Sequence, residues 1–159
     1  MSMESDISTA VKTGVRDIAI TFLSMDVTAG PTLVRDVNGD YAPPEAETSA
    51  LILLNGAVQG GLFLSAPEHV AMAMTSALLG ETLEEMGEEV YDGFGEVANM
   101  VAGSIQTELA VEHGEINLSP PSILGQNGVF EANSREFNHS VRQFFKTPVG
   151  PFFVEIFYT

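Results

Sequence analysis

The sequence predicts a two-layer α+β domain, in which three helices pack on one mixed, mostly antiparallel sheet of about six strands. Three observations support this. Three segments repeat apolar residues at spacings of three and four, the period of a helix with one buried face. Two pairs of apolar or β-branched runs flank turn sequences, Asn55-Gly56 and Pro148 to Pro151, as antiparallel hairpins do. The 159 residues, 45% hydrophobic and 18% charged, suit a single domain over 1–159 with its own core.

The first helix is expected from about Ser5 to Met25, with Ser5 or Asp6 as its cap and Ile7, Val11, Val15, Ile18 and Phe22 as the core-facing stripe. Gly30-Pro31 breaks that pattern, and Pro31 to Asp36 reads as a short strand. Val37 to Thr48 reads as loop, with turn residues at Asn38-Gly39-Asp40 and Pro43-Pro44. Ala50 to Leu54 and Val58 to Ser65 form the clearest hairpin, because Asn55-Gly56 tolerates the positive φ angles of a type I′ turn. Pro67 suits the opening of a second helix, Glu68 to Leu79, and Gly80 its end.

A third helix is expected from Glu88 to Val111. Placed at ~100° per residue, Val90, Phe94, Val97, Ala98, Val101, Ile105 and Leu109 fall within an arc of about 120° and define its buried side. The acids before and within its first turns, Glu81 to Asp92, complement the helix N-terminus and lack the ligand spacing of a calcium loop. Ile116 to Ser119 reads as a strand, and Ser122 to Asn138 as mostly irregular, with turn residues at Gly125, Asn127-Gly128 and Asn133-Ser134. His139 to Lys146 and Phe152 to Tyr158 read as a closing hairpin. The last strand is apolar on both faces, which calls for cover on two sides, by helices or by another subunit.

Composition excludes several kinds of chemistry. There is no cysteine, hence no disulfide, thiolate metal site or cysteine nucleophile, a usage that fits a reducing cytoplasm. A net charge of −16 repels phosphate backbones and anionic lipid, so neither nucleic acid nor membrane is an expected partner. The first residues carry acids rather than a basic region, unlike a signal peptide, and no run approaches the ~20 apolar residues of a membrane span. His69, His113 and His139 fall in three separate elements without metal-ligand spacing, so no metal site is expected. A P-loop and a nucleophile elbow are both missing.

What remains is Glu96 and Asn99. Three residues apart, they lie about 60° apart on the side of the third helix opposite its apolar arc, with Gly103 between them in projection and Gln106 at the edge. Asparagine in mid-helix costs a few tenths of a kcal/mol, and Gly95 and Gly103 about 1 kcal/mol each, relative to alanine. Local rules broken together in one patch mark a functional surface. Gly95 and Gly103 would leave clearance for the backbone of another molecule.

The run Phe94-Gly95-Glu96-Val97-Ala98-Asn99-Met100-Val101-Ala102-Gly103 resembles the signature helix of the CheC/CheX/FliY phosphatases of bacterial chemotaxis. The opening helix, the Ala50–Ser65 hairpin and the closing pattern Phe145, Thr147, Pro148, Gly150, Phe152, Glu155 are similar to CheX in order and spacing. CheC-like members carry a second Glu-x-x-Asn on their first long helix. Here Val11 to Phe22 has Asp17 but no asparagine, which points to the single-site CheX type.

The resemblance implies a phosphatase of CheY-like receivers acting on the phospho-aspartate. Asn99 would orient the attacking water and Glu96 would pair with the receiver's lysine. The Mg²⁺ would sit in the receiver, so the chain would need no cofactor of its own. It further implies a homodimer joined through sheet edges. The alternative is a non-catalytic interaction domain of the same fold in a chemotaxis or flagellar switch assembly. Such a domain is expected to have lost the Glu/Asn pair.

Overall fold

The computed structural model describes residues 2–37, 41–42, 44–125 and 137–159. Helix α1 (Met3–Ile18) is capped by Ser2, whose hydroxyl accepts the Ser5 N–H at 3.1 Å, so it starts earlier than Ser5 or Asp6. Ile7, Val11, Val15 and Ile18 are buried as expected. Phe22 is not. It is 49% exposed, and Leu23, at 6%, takes its place. The last turn, Ala19–Leu23, is a π-turn, which adds one residue to the helical step and carries the stripe from Ile18 to Leu23.

Strands β1 (Thr28–Asp36), β2 (Thr48–Gly56), β3 (Gly60–Ala66), β4 (Ile116–Leu118), β5 (Ser122–Gly125), β6 (His139–Thr147) and β7 (Gly150–Tyr158) form one sheet. Its order is β1-β6-β7-β3-β2-β4, with β5 also beside β2. The sheet has seven strands rather than about six, and every pairing among the described residues is antiparallel, so it is not mixed.

The hairpin of β2 and β3 is present, but residues 57–59 make its turn. Asn55 and Gly56 stay in strand and pair with Asn117 and Ile116 of β4. Gly60 re-enters the sheet where a Cβ would lie 1.9 Å from the Phe157 carbonyl oxygen, so the backbones approach too closely for a side chain.

The extra strand, β5, falls where irregular chain was expected. Together β4 and β5 run along β2 as one strand interrupted at Pro120-Pro121, which have no N–H for the ladder. Ser119 bridges the gap. Its N–H donates to the Leu53 carbonyl at 3.0 Å, and its hydroxyl accepts the Leu53 N–H at 2.8 Å. The turn residues expected at Asn38-Gly39-Asp40, Pro43, Asn127-Gly128 and Asn133-Ser134 lie outside the described residues.

Helix α2 (Glu68–Leu79) follows Pro67 and ends at Gly80 in the left-handed conformation, as the sequence predicts. Helix α3 (Glu88–His113) packs between α1 and α2 and over β2. Gly93 makes the α2 contact close, since a Cβ there would stand 2.2 Å from Thr75 Cγ2. Thr75 is buried, and its hydroxyl donates to the Val90 carbonyl at 3.3 Å, so it has little room to turn. Gly93→Ala is expected to cost roughly 1–3 kcal/mol by overpacking. A urea midpoint equal to that of the parent would show that the two helices can separate freely.

The two faces of β7 are both covered. Phe152, Val154, Ile156 and Tyr158 join the main core under the helices. Glu155 and Phe157 face the other way, where Tyr41 and Phe63 pack on Phe157 with Val37, Leu51, Leu124 and Phe137 around them. Among the described residues that second cover is not a helix. It comes from loop residues and neighbouring strands of the same chain.

Two tyrosines, Tyr41 on this side and Tyr158 on the helix side, are held protonated. Burial, then the Glu155 charge, raises the Tyr41 phenol well above its ordinary value; burial, then Glu4, pushes Tyr158 up to about 12. The unfolded chain releases these protons near pH 10 and the folded chain later, so stability is full below about pH 10 and falls as pH rises toward about 12. Urea midpoints measured across that window are expected to decline; a level profile would contradict the burial of these phenols.

Candidate functional site

Phe94, Val97, Ala98 and Val101 are buried in the main core and fix the rotation of α3. The opposite side is thereby left outward. Glu96 is exposed and Asn99 partly exposed, and neither side chain makes a hydrogen bond or ion pair among the described residues. Both therefore stand without a side-chain partner among the described residues, in the middle of a 26-residue helix with packed neighbours.

The two glycines differ. Gly103 is open: a Cβ there would meet nothing within 4 Å. Gly95 is buried, and the space beside it is occupied by Pro121 and Ile123, whose side chains would touch a Cβ at 3.5 Å. The expectation that Gly95 leaves clearance on the outward face therefore fails. The Pro120-Pro121 break swings β5 back along β2 and lays this segment against α3, a long-range contact that helical periodicity does not register. Gln106 is turned away as well, its amide donating to the Ile116 carbonyl at 2.5 Å.

Asp92, four residues before Glu96, is exposed and lies on the same stripe of α3. Like charges at this spacing cost about 0.2–0.5 kcal/mol, and neither acid has a basic partner among the described residues. The outward face is thus an uncompensated acidic stripe with an amide beside it. Further back, Glu89 is held above the ordinary carboxylate range by a hydrogen bond with Glu81 and then by that neighbour's charge.

Comparison with known proteins decides the family. The sequence model described as chemotaxis phosphatase CheX matches residues 48–146, from β2 through β6 and including the whole of α3.

The chain belongs to the CheX family.

Solved structures agree on the fold. A CheX chemotaxis protein from Desulfovibrio desulfuricans superposes with a TM-score of 0.78 at 22% identity, over 96% of this chain and 99% of that one. A CheC-like superfamily protein from Shewanella sp. PV-4 gives 0.79 at 21%, over 100% and 99%. The CheX–CheY–BeF3–Mg²⁺ complex from Borrelia burgdorferi gives 0.69 at 18%, over 96% and 95%. No curated protein sequence matches. As in these CheX-like structures, helices pack on an open antiparallel sheet. No helix among the described residues is long and apolar enough to cross a membrane.

The fold also makes one grouping that spacing in the sequence hides. His69 is bonded to the Val149 carbonyl at 2.9 Å, and His139 packs on the Tyr158 ring. His113, by contrast, meets Asp6 at 2.8 Å, with Glu112 alongside. Asp6 and His113 are 107 positions apart, and only the antiparallel packing of α1 on α3 brings them together.

Proposed function

We propose that this CheX-family chain is a phosphatase of CheY-like receiver domains, in which Asn99 orients the water that attacks the phospho-aspartate. The observation that carries the reading is the state of Asn99 and Glu96. Both are unbonded and outward on a rigid helix, in a family described as chemotaxis phosphatases. A side-chain amide suits water positioning because it donates and accepts without adding negative charge near the phosphoryl group.

Glu96 pairs with the receiver's active-site lysine and sets the docking register. The acidic stripe supports this, since the repulsion between Asp92 and Glu96 in the free chain is relieved by a basic group on the partner. In the related complex from Borrelia burgdorferi a CheX protein is bound to CheY with BeF3 and Mg²⁺. In this reading the metal belongs to the receiver, and the chain needs no cofactor of its own. Gly103 gives the clearance, and Gly95 supports the face from inside by accepting Pro121.

Glu96→Ala is expected to weaken binding of a phosphorylated receiver by about tenfold, the loss of one charge-assisted contact, and to lower turnover through occupancy. Titrating the receiver against both forms checks this; equal affinity would remove Glu96 from the interface.

A homodimer is proposed through β1, which among the described residues pairs only with β6 and carries exposed Leu33 and Val34, though Pro31 and the register shift between Ala29 and Thr32 blunt part of that edge. Light scattering that returned a monomer at every concentration would rule it out. The reading places the protein in the cytoplasm, where receiver domains are found.

A further inference from the structure

We propose that Asp6, Glu112 and His113 form a binding site for a first-row divalent transition-metal cation, represented by Zn²⁺, that ties the start of α1 to the end of α3. One ligand atom from each residue, an imidazole nitrogen and two carboxylate oxygens, lies within 4.8 Å of the other two. Tetrahedral bonds of about 2.0–2.2 Å to a common ion set the ligand atoms about 3.3–3.6 Å apart, so rotations that move the ends of these side chains, at most partly buried, by about 1 Å complete the set.

The three line a cleft of about 270 Å³ with Thr9 and Glu108, open enough for water to fill the remaining coordination positions. A nitrogen with two carboxylates suits zinc and its neighbours in the first transition row. Magnesium and calcium favour oxygen ligands alone.

The electrostatics of the helix end favour a cation. Glu108 and Glu112 sit in the last turns of α3, where the carbonyl end of the helix is already negative, and His113 is the only basic residue of its last turn. When an ion binds, it takes the lone pair of His113 Nε2; any hydrogen between Nε2 and Asp6 Oδ2 is displaced, and Nδ1 carries the single hydrogen of the neutral imidazole. Asp6 then changes from hydrogen-bond partner to ligand.

The site lies fourteen residues along α3 from Asn99, about 21 Å at 1.5 Å per residue, and is separate from the outward acidic face. It does not depend on the proposed phosphatase function, and its test needs no receiver.

The test is titration of chelator-treated full-length protein with ZnCl2 and, separately, MgCl2, followed by calorimetry and by thermal melting. One Zn²⁺ per chain is expected, with a melting temperature that rises with Zn²⁺ and not with equimolar Mg²⁺. Glu112→Gln removes a ligand without removing any hydrogen bond, so it should melt like the parent without metal and bind Zn²⁺ at least about tenfold more weakly. His113→Gln should bind less still, and His69→Gln and His139→Gln as the parent does. No saturable Zn²⁺ binding, or binding unchanged in both Glu112→Gln and His113→Gln, would overturn the proposal. So would binding lost instead with His69 or His139.

Discussion

Asn99→Ala is expected to lower the protein-accelerated loss of phosphate from a cognate receiver by about 100-fold or more, while the affinity for that receiver stays within a few-fold of the parent. The magnitude follows from losing the positioning of the nucleophile, since even a displacement of about 1 Å costs about 100-fold. Affinity is spared because Glu96, Asp92 and the open surface at Gly103 remain. Folding is spared too. Asn99 makes no hydrogen bond among the described residues, and alanine is the better helix former by several tenths of a kcal/mol, so the variant should melt at or slightly above the parent temperature. A fall in activity with full binding and full stability separates catalysis from folding. Asn99→Ala with parental turnover would remove the amide from the mechanism.

The largest expected effect on stability lies on the far side of the sheet. Glu155 is fully buried in the middle of β7 and accepts from Arg142 Nε at 2.8 Å, from Arg35 Nη2 at 3.3 Å and from the Tyr41 hydroxyl. Truncation leaves the Arg142 guanidinium and a buried phenol without their acceptor. Breaking a buried pair in this way costs about 3–5 kcal/mol, and the lower end applies here because Arg35 is well exposed and Arg142 also lies 4.4 Å from the Phe153 ring centroid. Glu155→Ala is therefore expected to lose about 3 kcal/mol, read from urea unfolding, with Glu155→Gln closer to the parent because it keeps an acceptor oxygen. Equal midpoints for parent and Glu155→Ala would show that the network contributes nothing net. Since this cluster is on the sheet face away from the helices, the activity proposed for the outward face of α3 should not change in the folded fraction.

Much of this architecture is written in local patterns, and the departures have local physical causes. The apolar arc of α3 reads correctly because it keeps one period from end to end. The stripe of α1 misleads at Phe22 because a π-turn inserts a residue, and no composition rule marks that turn. Asn55-Gly56 has the chemistry of a tight turn, yet pairing with β4 keeps it in strand and moves the turn to 57–59. β5 escapes notice because Pro120-Pro121 signals the end of a strand, while the Ser119 side chain supplies what the prolines cannot.

The candidate site divides the same way. That Glu96 and Asn99 face outward follows from helical periodicity alone, and so does their nearness to each other. Gly95 and Gly103 are equivalent as letters, and only the path of β5 separates the packed one from the open one. Asp92 was legible as part of an acidic run, and its place on the same stripe as Glu96 follows from its spacing of four residues. The Asp6–His113 contact could not be read at all, since it depends on how α1 crosses α3.

The most direct measurement is the decay of a panel of phosphorylated CheY-like receivers in Mg²⁺, each with and without a substoichiometric amount of this protein. For at least one receiver the phosphate is expected to disappear many times faster, with each chain turning over repeatedly. Receivers that bind the chain but keep their phosphate at the spontaneous rate would contradict the account and leave a docking domain in its place.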